Sequence, residues 1–249
     1  MTDIQKLRAS TGIGMMACKK ALAEADGDAE KAVEILRKRG EIKAAEKSDR
    51  STNEGVIAIS GKAILKILCE TDFVARNEKF IKFADEIVKI ADSNGENAAR
   101  DFFEKNKTDK IQEIGENLVL DEIKILQNGK IFGEYVHSNR KIGAIVALDS
   151  GEENAARDVA MHVVAMNPAV AHPSDVPQNE IEKEKEIYRE QLQNEGKPAQ
   201  IIDKIIDGKV KKFCAERALA SQNFVKDPST TVEKFLNGAK IVDFLRMEI

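Results

Sequence analysis

Residues 55–70, GVIAISGKAILKILCE, decide the fold. Upstream of them apolar residues recur near every 3.6 positions; here the period drops to 2 and β-branched residues crowd together. Gly55-Val-Ile-Ala-Ile-Ser60 and Ala63-Ile-Leu-Lys-Ile-Leu-Cys-Glu70 read as two strands, and Gly61-Lys62 between them is a hairpin signal. A helix is predicted from Glu78 to Ala91, with Phe80, Phe83, Ala84, Ile87, Val88 and Ile90 forming a broad apolar face. The same strand, strand, helix unit recurs. Gly133-Glu-Tyr-Val-His-Ser138 and Lys141-Ile-Gly-Ala-Ile-Val-Ala-Leu148 repeat the hairpin, and Ala155 to Met166 repeats the helix when Phe83 is set on Val159 and Ile87 on Val163. The expected fold class is therefore α+β with a duplicated core of small antiparallel sheets.

Working outward, residues 1–40 read as three short helices, punctuated by Thr11-Gly12-Ile13-Gly14 and by Asp26-Gly27-Asp28, with Asp28 capping the third. Ala44 to Asn53 has no large apolar residue and is expected to be a linker. Residues 98–128 read mostly as helix, including Leu118 and Val119, followed by a strand over 122–126. Glu180 to Asn194 and the run carrying Ile201, Ile202, Ile205, Ile206, Val210 and Phe213 are joined by Glu195-Gly-Lys-Pro198, which predicts an antiparallel helical hairpin over about 180–215. That hairpin is either a solvated arm or a docking surface. Ala239 to Ile249 reads as a strand returning to a sheet. The resulting division is 1–50, 51–139 and 140–249, with the hairpin inserted in the last.

The 249 residues carry a net charge of −4, no Trp and two Tyr, which argues against a phosphate-backbone binder and against base stacking. Cys18, Cys69 and Cys214 are far apart and form no C-x-x-C pair, so neither a disulfide framework nor a zinc site is legible. No apolar run approaches the roughly 20 residues of a membrane span, and the N-terminus has no signal core. A cytoplasmic protein without a cofactor is expected.

The phosphate-binding, metalloprotease and nucleophile-elbow motifs are absent. Of the three histidines, His162 lies within the apolar stretch Val159 to Met166, where it is either a core-edge residue with a hydrogen bond or a partner contact. The most informative stretch is Cys69-Glu-Thr-Asp-Phe-Val-Ala-Arg-Asn77, on the connection between strand and helix. There Phe73 beside Asp72 is either an apolar wedge next to a fixed charge, or a core residue following an Asp72 or Asn77 helix cap.

Three motifs, taken in order, resemble the bacterial translation elongation factor Ts family. They are Leu7-Arg-x-x-Thr11-Gly12-x-Gly14-Met15-Met16-x-Cys18-Lys19-Lys20-Ala21-Leu22, Glu70-Thr71-Asp72-Phe73-Val74-Ala75-Arg76-Asn77, and Met161-His162-Val163-Val164-Ala165-Met166-Asn167-Pro168. Gln222-Asn-Phe-Val-Lys-Asp-Pro-Ser229 adds to the likeness. The resemblance implies a three-helix ubiquitin-associated-like N-terminal module, a duplicated core, a coiled-coil hairpin, and a non-enzymatic exchange factor for guanine nucleotides on elongation factor Tu. It implies that the loop matching Thr71, Asp72, Phe73 and Val74 enters the partner's nucleotide domain and disturbs its Mg²⁺, with Asp72 and Phe73 as the wedge. Met15 and Lys19 would dock on the same domain; Ile142, Gly143 and His162 would face another. No nucleic acid or membrane contact is implied. Some family members continue past the strand matching residues 241–249, and contacts of that extension are expected to be missing. The alternative is an adaptor that binds a ubiquitin-like fold through its N-terminal module.

Overall fold

The computed structural model describes residues 2–249. Thr2 opens the first helix, α1 (Asp3–Thr11), by a capping box with Gln5, and Gly12, at φ +70°, closes it. Helix α2 (Met15–Glu24) follows, then α3 (Ala29–Lys38), whose first amides, those of Glu30 and Lys31, donate to the Asp28 carboxylate at 3.0 and 3.1 Å. Leu7, Ile13, Cys18, Leu22, Ala32 and Leu36 form the interior of this module.

The expected linker is in part a fourth helix, α4 (Glu41–Lys47). Its start is set by Gly40, whose φ is +67° and whose missing Cβ leaves room for the Gln112 side chain. Gln112 donates there to the Arg39 carbonyl, while Lys47 Nζ donates to the Gly115 carbonyl at 2.5 Å. Small, helix-favouring alanines suffice because α4 buries Ala44 rather than a large side chain.

Strands β1 (Glu54–Ser60) and β2 (Ala63–Cys69) form the hairpin. A single turn, α5 (Asp72–Ala75), leads to α6 (Glu78–Asn94), whose first turn is capped by Asn77 through Lys79 N–H at 2.9 Å. α6 packs on β1 with its Phe80, Phe83, Ile87 and Val88 buried, and Phe83 stacks on Phe103 of α7 (Glu96–Ile114) at 5.9 Å. Helix α7 stops at Gly115, φ +93°, so Leu118 and Val119 belong to the approach and start of β3 (Val119–Ile125) rather than to a helix. The sheet order is β1-β2-β3.

The second unit repeats this plan. β4 (Ile131–Val136) pairs antiparallel with β5 (Ile142–Leu148), bringing Gly133 opposite Val146 and Val136 opposite Gly143. Helix α8 (Glu153–Met166) covers the pair, its Ala156, Val159, Ala160 and Val163 meeting Ala144, Val146 and Leu148. After α8 come the hairpin helices α9 (Gln178–Asn194) and α10 (Ala199–Arg217), then β6 (Asn223–Phe224), β7 (Asp227–Thr231) and α11 (Val232–Phe235). Finally β8 (Ile241–Glu248) returns to pair with β5, giving the order β4-β5-β8. Each repeat thus carries its third strand beyond its helix, beside the second strand. The compact units are residues up to 60 with 65–125 and Ile249, and residues 61–64 with 126–248; β4 and β5, on either side of position 139, share one sheet. The hairpin α9–α10 holds together by Leu192, Ile202 and Ile206, by Arg189–Asp203 at 3.3 Å and by Arg217–Glu180 at 2.8 Å.

At Gly133 in the second unit an added Cβ would lie 2.0 Å from the Ala156 carbonyl carbon and 2.1 Å from the Arg157 nitrogen. Gly133→Ala is therefore expected to destabilise the protein by about 2 kcal/mol or more through overpacking. Gly208→Ala, on the exposed face of α10 where an added Cβ meets nothing within 4 Å, is expected to stabilise it by about 0.5–1 kcal/mol through helix propensity. Denaturant midpoints of the two variants check the pair.

Candidate partner-binding site

The connection between β2 and α6 is one helical turn with a fixed backbone. Thr71 caps it: its Oγ accepts the Val74 N–H at 3.4 Å. Thr71, rather than Asp72, is the cap, and Asp72 occupies the first helical position, where its charge suits the N-terminal end of the turn. Asp72 pairs with Arg76 at 3.1 Å on the exposed side, a contact worth little by itself.

The turn sorts its side chains. Val74 is 8% exposed and Ala75 is buried, while Phe73 is 83% exposed, the highest value among the large hydrophobics of the described residues. The reading of Phe73 as a core residue is thus overturned. Of the four residues read as one insertion, Val74 anchors the turn from inside, and Asp72 and Phe73 face outward.

The underside of this turn is held by residues that the sequence did not single out. Glu116 accepts the N–H groups of Glu70 and Thr71, each at 3.0 Å, and the Thr71 hydroxyl at 2.6 Å. Glu70 in return accepts the Asn117 N–H at 2.7 Å and lies 3.5 Å from the Arg50 guanidinium. Asn117, buried, donates its side-chain amide to the carbonyls of Ser48 and Arg50 at 3.1 and 3.0 Å.

On α2, Met15 is 52% exposed and Lys19, one turn on, is exposed as well, while Cys18, Ala21 and Leu22 fill the opposite face. Ile142 and Gly143 begin β5; Ile142 is half-buried and Gly143 is buried between Val136 and Met247 in neighbouring strands. His162 has 0% exposure. Its Nδ1 accepts the Val225 N–H at 3.1 Å, which puts the ring proton on Nε2, 3.0 Å from the Gln222 side-chain oxygen. Gln222 is itself oriented by donating to the Glu216 carbonyl at 2.9 Å. A ring so enclosed presents no surface to a partner; what reaches solvent is Val225, whose amide it fixes.

Among the described residues, no three or more His, Cys, Asp and Glu side chains are grouped to hold a metal, and no helix is long and apolar enough to cross a membrane.

The sequence profile of the family described as Elongation factor TS matches residues 70–249. Curated relatives extend the match to nearly the whole chain: the Elongation factor Ts of Marinobacter nauticus is 44% identical, with 99% of this chain and 89% of that protein covered. The chain belongs to the elongation factor Ts family. The Elongation factor Ts of Saccharophagus degradans is 42% identical over the same shares, and that of Francisella tularensis subsp. novicida 45% identical over 99% of this chain and 90% of its own. Membership of that family makes the chain a protein of translation elongation, and its α+β architecture is consistent with the family's.

Burial pushes the His162 imidazole below the ordinary histidine value, against the smaller opposing effect of its hydrogen bond to Gln222. The unfolded chain therefore binds the proton more readily than the folded one, so stability is full above the unfolded pKa and declines as pH falls through it. The wild type is expected to lose stability on acidification through the range just below pH 6.5, and His162→Gln to lose less of it there. At neutral pH His162→Ala is expected to cost about 1–3 kcal/mol through unpaired groups and lost packing. Denaturation midpoints against pH check both.

Proposed function

We propose that this chain is a guanine-nucleotide exchange factor for elongation factor Tu, binding both the GDP-bound and the nucleotide-free partner and promoting GDP release. The observation that carries the reading is Phe73, 83% exposed at the tip of a turn whose cap and inner residues are fixed. An isolated exposed apolar residue needs no explanation, but an aromatic ring held outward beside a carboxylate, on a capped backbone, is a preformed insertion element.

The mechanism needs no acid, base or nucleophile from this chain. Phe73 enters between helices of the partner's nucleotide domain, driven by burial of its ring, worth about 2 kcal/mol when fully desolvated. Asp72 brings a negative charge into the neighbourhood of the partner's Mg²⁺. That ion is a large local positive charge holding the nucleotide phosphates, so a shift in its ligands loosens GDP without any contact to the base. Met15 and Lys19, an apolar and a cationic group one helical turn apart, dock the N-terminal module on the same domain. The start of β5 at Ile142 and Gly143 faces a second domain, with His162 contributing through the Val225 amide it holds.

Because GDP and this factor compete through one coupling free energy, whatever weakens one weakens the other by the same factor. Release of fluorescent GDP from purified elongation factor Tu tests the reading. Phe73→Ala with Asp72→Ala is expected to slow stimulated release by about 30-fold, the equivalent of the lost ring burial. The double substitution is also expected to shrink the ratio between affinities for nucleotide-free and GDP-bound partner, while leaving the unfolding midpoint within about 0.5 kcal/mol of wild type. An unchanged ratio would make the turn a mere anchor.

A further inference from the structure

We propose that Glu116 is a positioning residue for the exchange turn, and that Thr71 serves this hold rather than the partner. The inference rests on the exchange reading and adds to it the device that keeps Phe73 in place.

Three donors converge on one carboxylate across a separation of 45 or 46 residues: the N–H of Glu70, the N–H of Thr71 and the hydroxyl of Thr71. The contact is reciprocal, since the Glu70 carboxylate takes the N–H of Asn117, the residue after Glu116. Each segment thus holds the other by a side chain and a main-chain group. The α7–β3 connection is in turn tied down by Asn117, which donates to Ser48 and Arg50, and by the Lys47 ammonium on the Gly115 carbonyl. Glu116 is therefore a fixed post, and the turn hangs on it.

The transmission to Phe73 is short. The Thr71 hydroxyl donates a hydrogen bond to Glu116 and accepts one from the Val74 N–H, so the direction of the helical turn is coupled to the carboxylate through one oxygen. Phe73, lying between those two residues and exposed on nearly its whole surface, has little packing of its own to orient it. Its orientation is inherited from the backbone, and the backbone is inherited from Glu116. Fixing an inserting side chain before binding removes the ordering cost that would otherwise be charged against partner affinity. The hydrogen-bonding capacity of Thr71 is spent inside the protein, and its methyl group is what remains for a partner.

The test has two arms. In the free protein, amide hydrogen exchange at Glu70, Thr71 and Val74 is expected to accelerate at least about tenfold in Glu116→Ala, with Glu116→Gln intermediate because it offers one neutral oxygen in place of two charged ones. In GDP release at saturating factor, Glu116→Ala is expected to lower the maximal rate about tenfold, and Phe73→Ala combined with Glu116→Ala to release GDP within about twofold of Phe73→Ala alone, since one acts through the other. Thr71→Ser, which keeps the hydroxyl, is expected to support faster release than Thr71→Val, which keeps the methyl; a direct partner contact through the methyl would reverse that order. Unchanged amide exchange in Glu116→Ala, or effects of Glu116→Ala and Phe73→Ala that multiply in full, would overturn the proposal. If Glu116→Ala does not fold, Glu116→Gln and Thr71→Val carry the same cycle. A wild-type protein that fails to accelerate GDP release would defeat the exchange reading instead, and the hydrogen-exchange arm would still decide whether Glu116 holds the turn.

Discussion

A three-stranded sheet buries its apolar face only if something lies across it, and in this chain that something is always the helix placed between the second strand and the third. The constraint acts twice. α6 covers β1 in the first unit and α8 covers β4 and β5 in the second, and in each the third strand closes on the second. Gly133 shows how tight the second fit is, with the backbone of α8 where a side chain would begin. Once helix and sheet are so seated, the connection leaving the second strand must emerge at the sheet's end, and in the first unit that connection is the turn bearing Phe73.

The two units use that common plan differently. In the first, the strand-to-helix connection is built up with a capped turn and a carboxylate beneath it. In the second, the corresponding stretch, Asp149 to Glu152, is a plain approach to α8 with no such turn. The second unit's elaboration comes after its helix instead, where α9, α10 and the short β6–β7 pair are inserted before the closing strand. Duplication supplied the frame, and the two copies carry their special features at different joints.

Much of this was legible in the chain itself, because periodicity reports burial. The hairpins, the two covering helices and the returning β8 all follow from apolar spacing. So does the position of His162 on an apolar face, where the structure puts it; the resemblance to partner-facing positions added a direct contact that an enclosed ring does not offer. Two features left no periodic trace. α4 buries Ala44, and alanines carry no apolar signal strong enough to separate helix from linker. Glu116 and Asn117 act through main-chain groups 45 to 69 residues away, and no local pattern encodes such a pairing. The outward turn of Phe73 and the inward turn of Val74 depend on that pairing, so the motif was readable as a loop but its sidedness was not.

The exposure of Phe73 also separates two properties that usually fail together. Most damaging substitutions reduce a protein's abundance, because they raise the unfolded fraction that quality control removes. A side chain that the fold does not bury, as Phe73 at 83% exposure is not, escapes this filter: its loss is expected to leave the molecule folded. On the exchange reading proposed above, a cell carrying such a lesion would hold a normal quantity of a factor that lacks its insertion element. Measurements of protein level would register nothing, and the defect would show only in an assay of the activity itself.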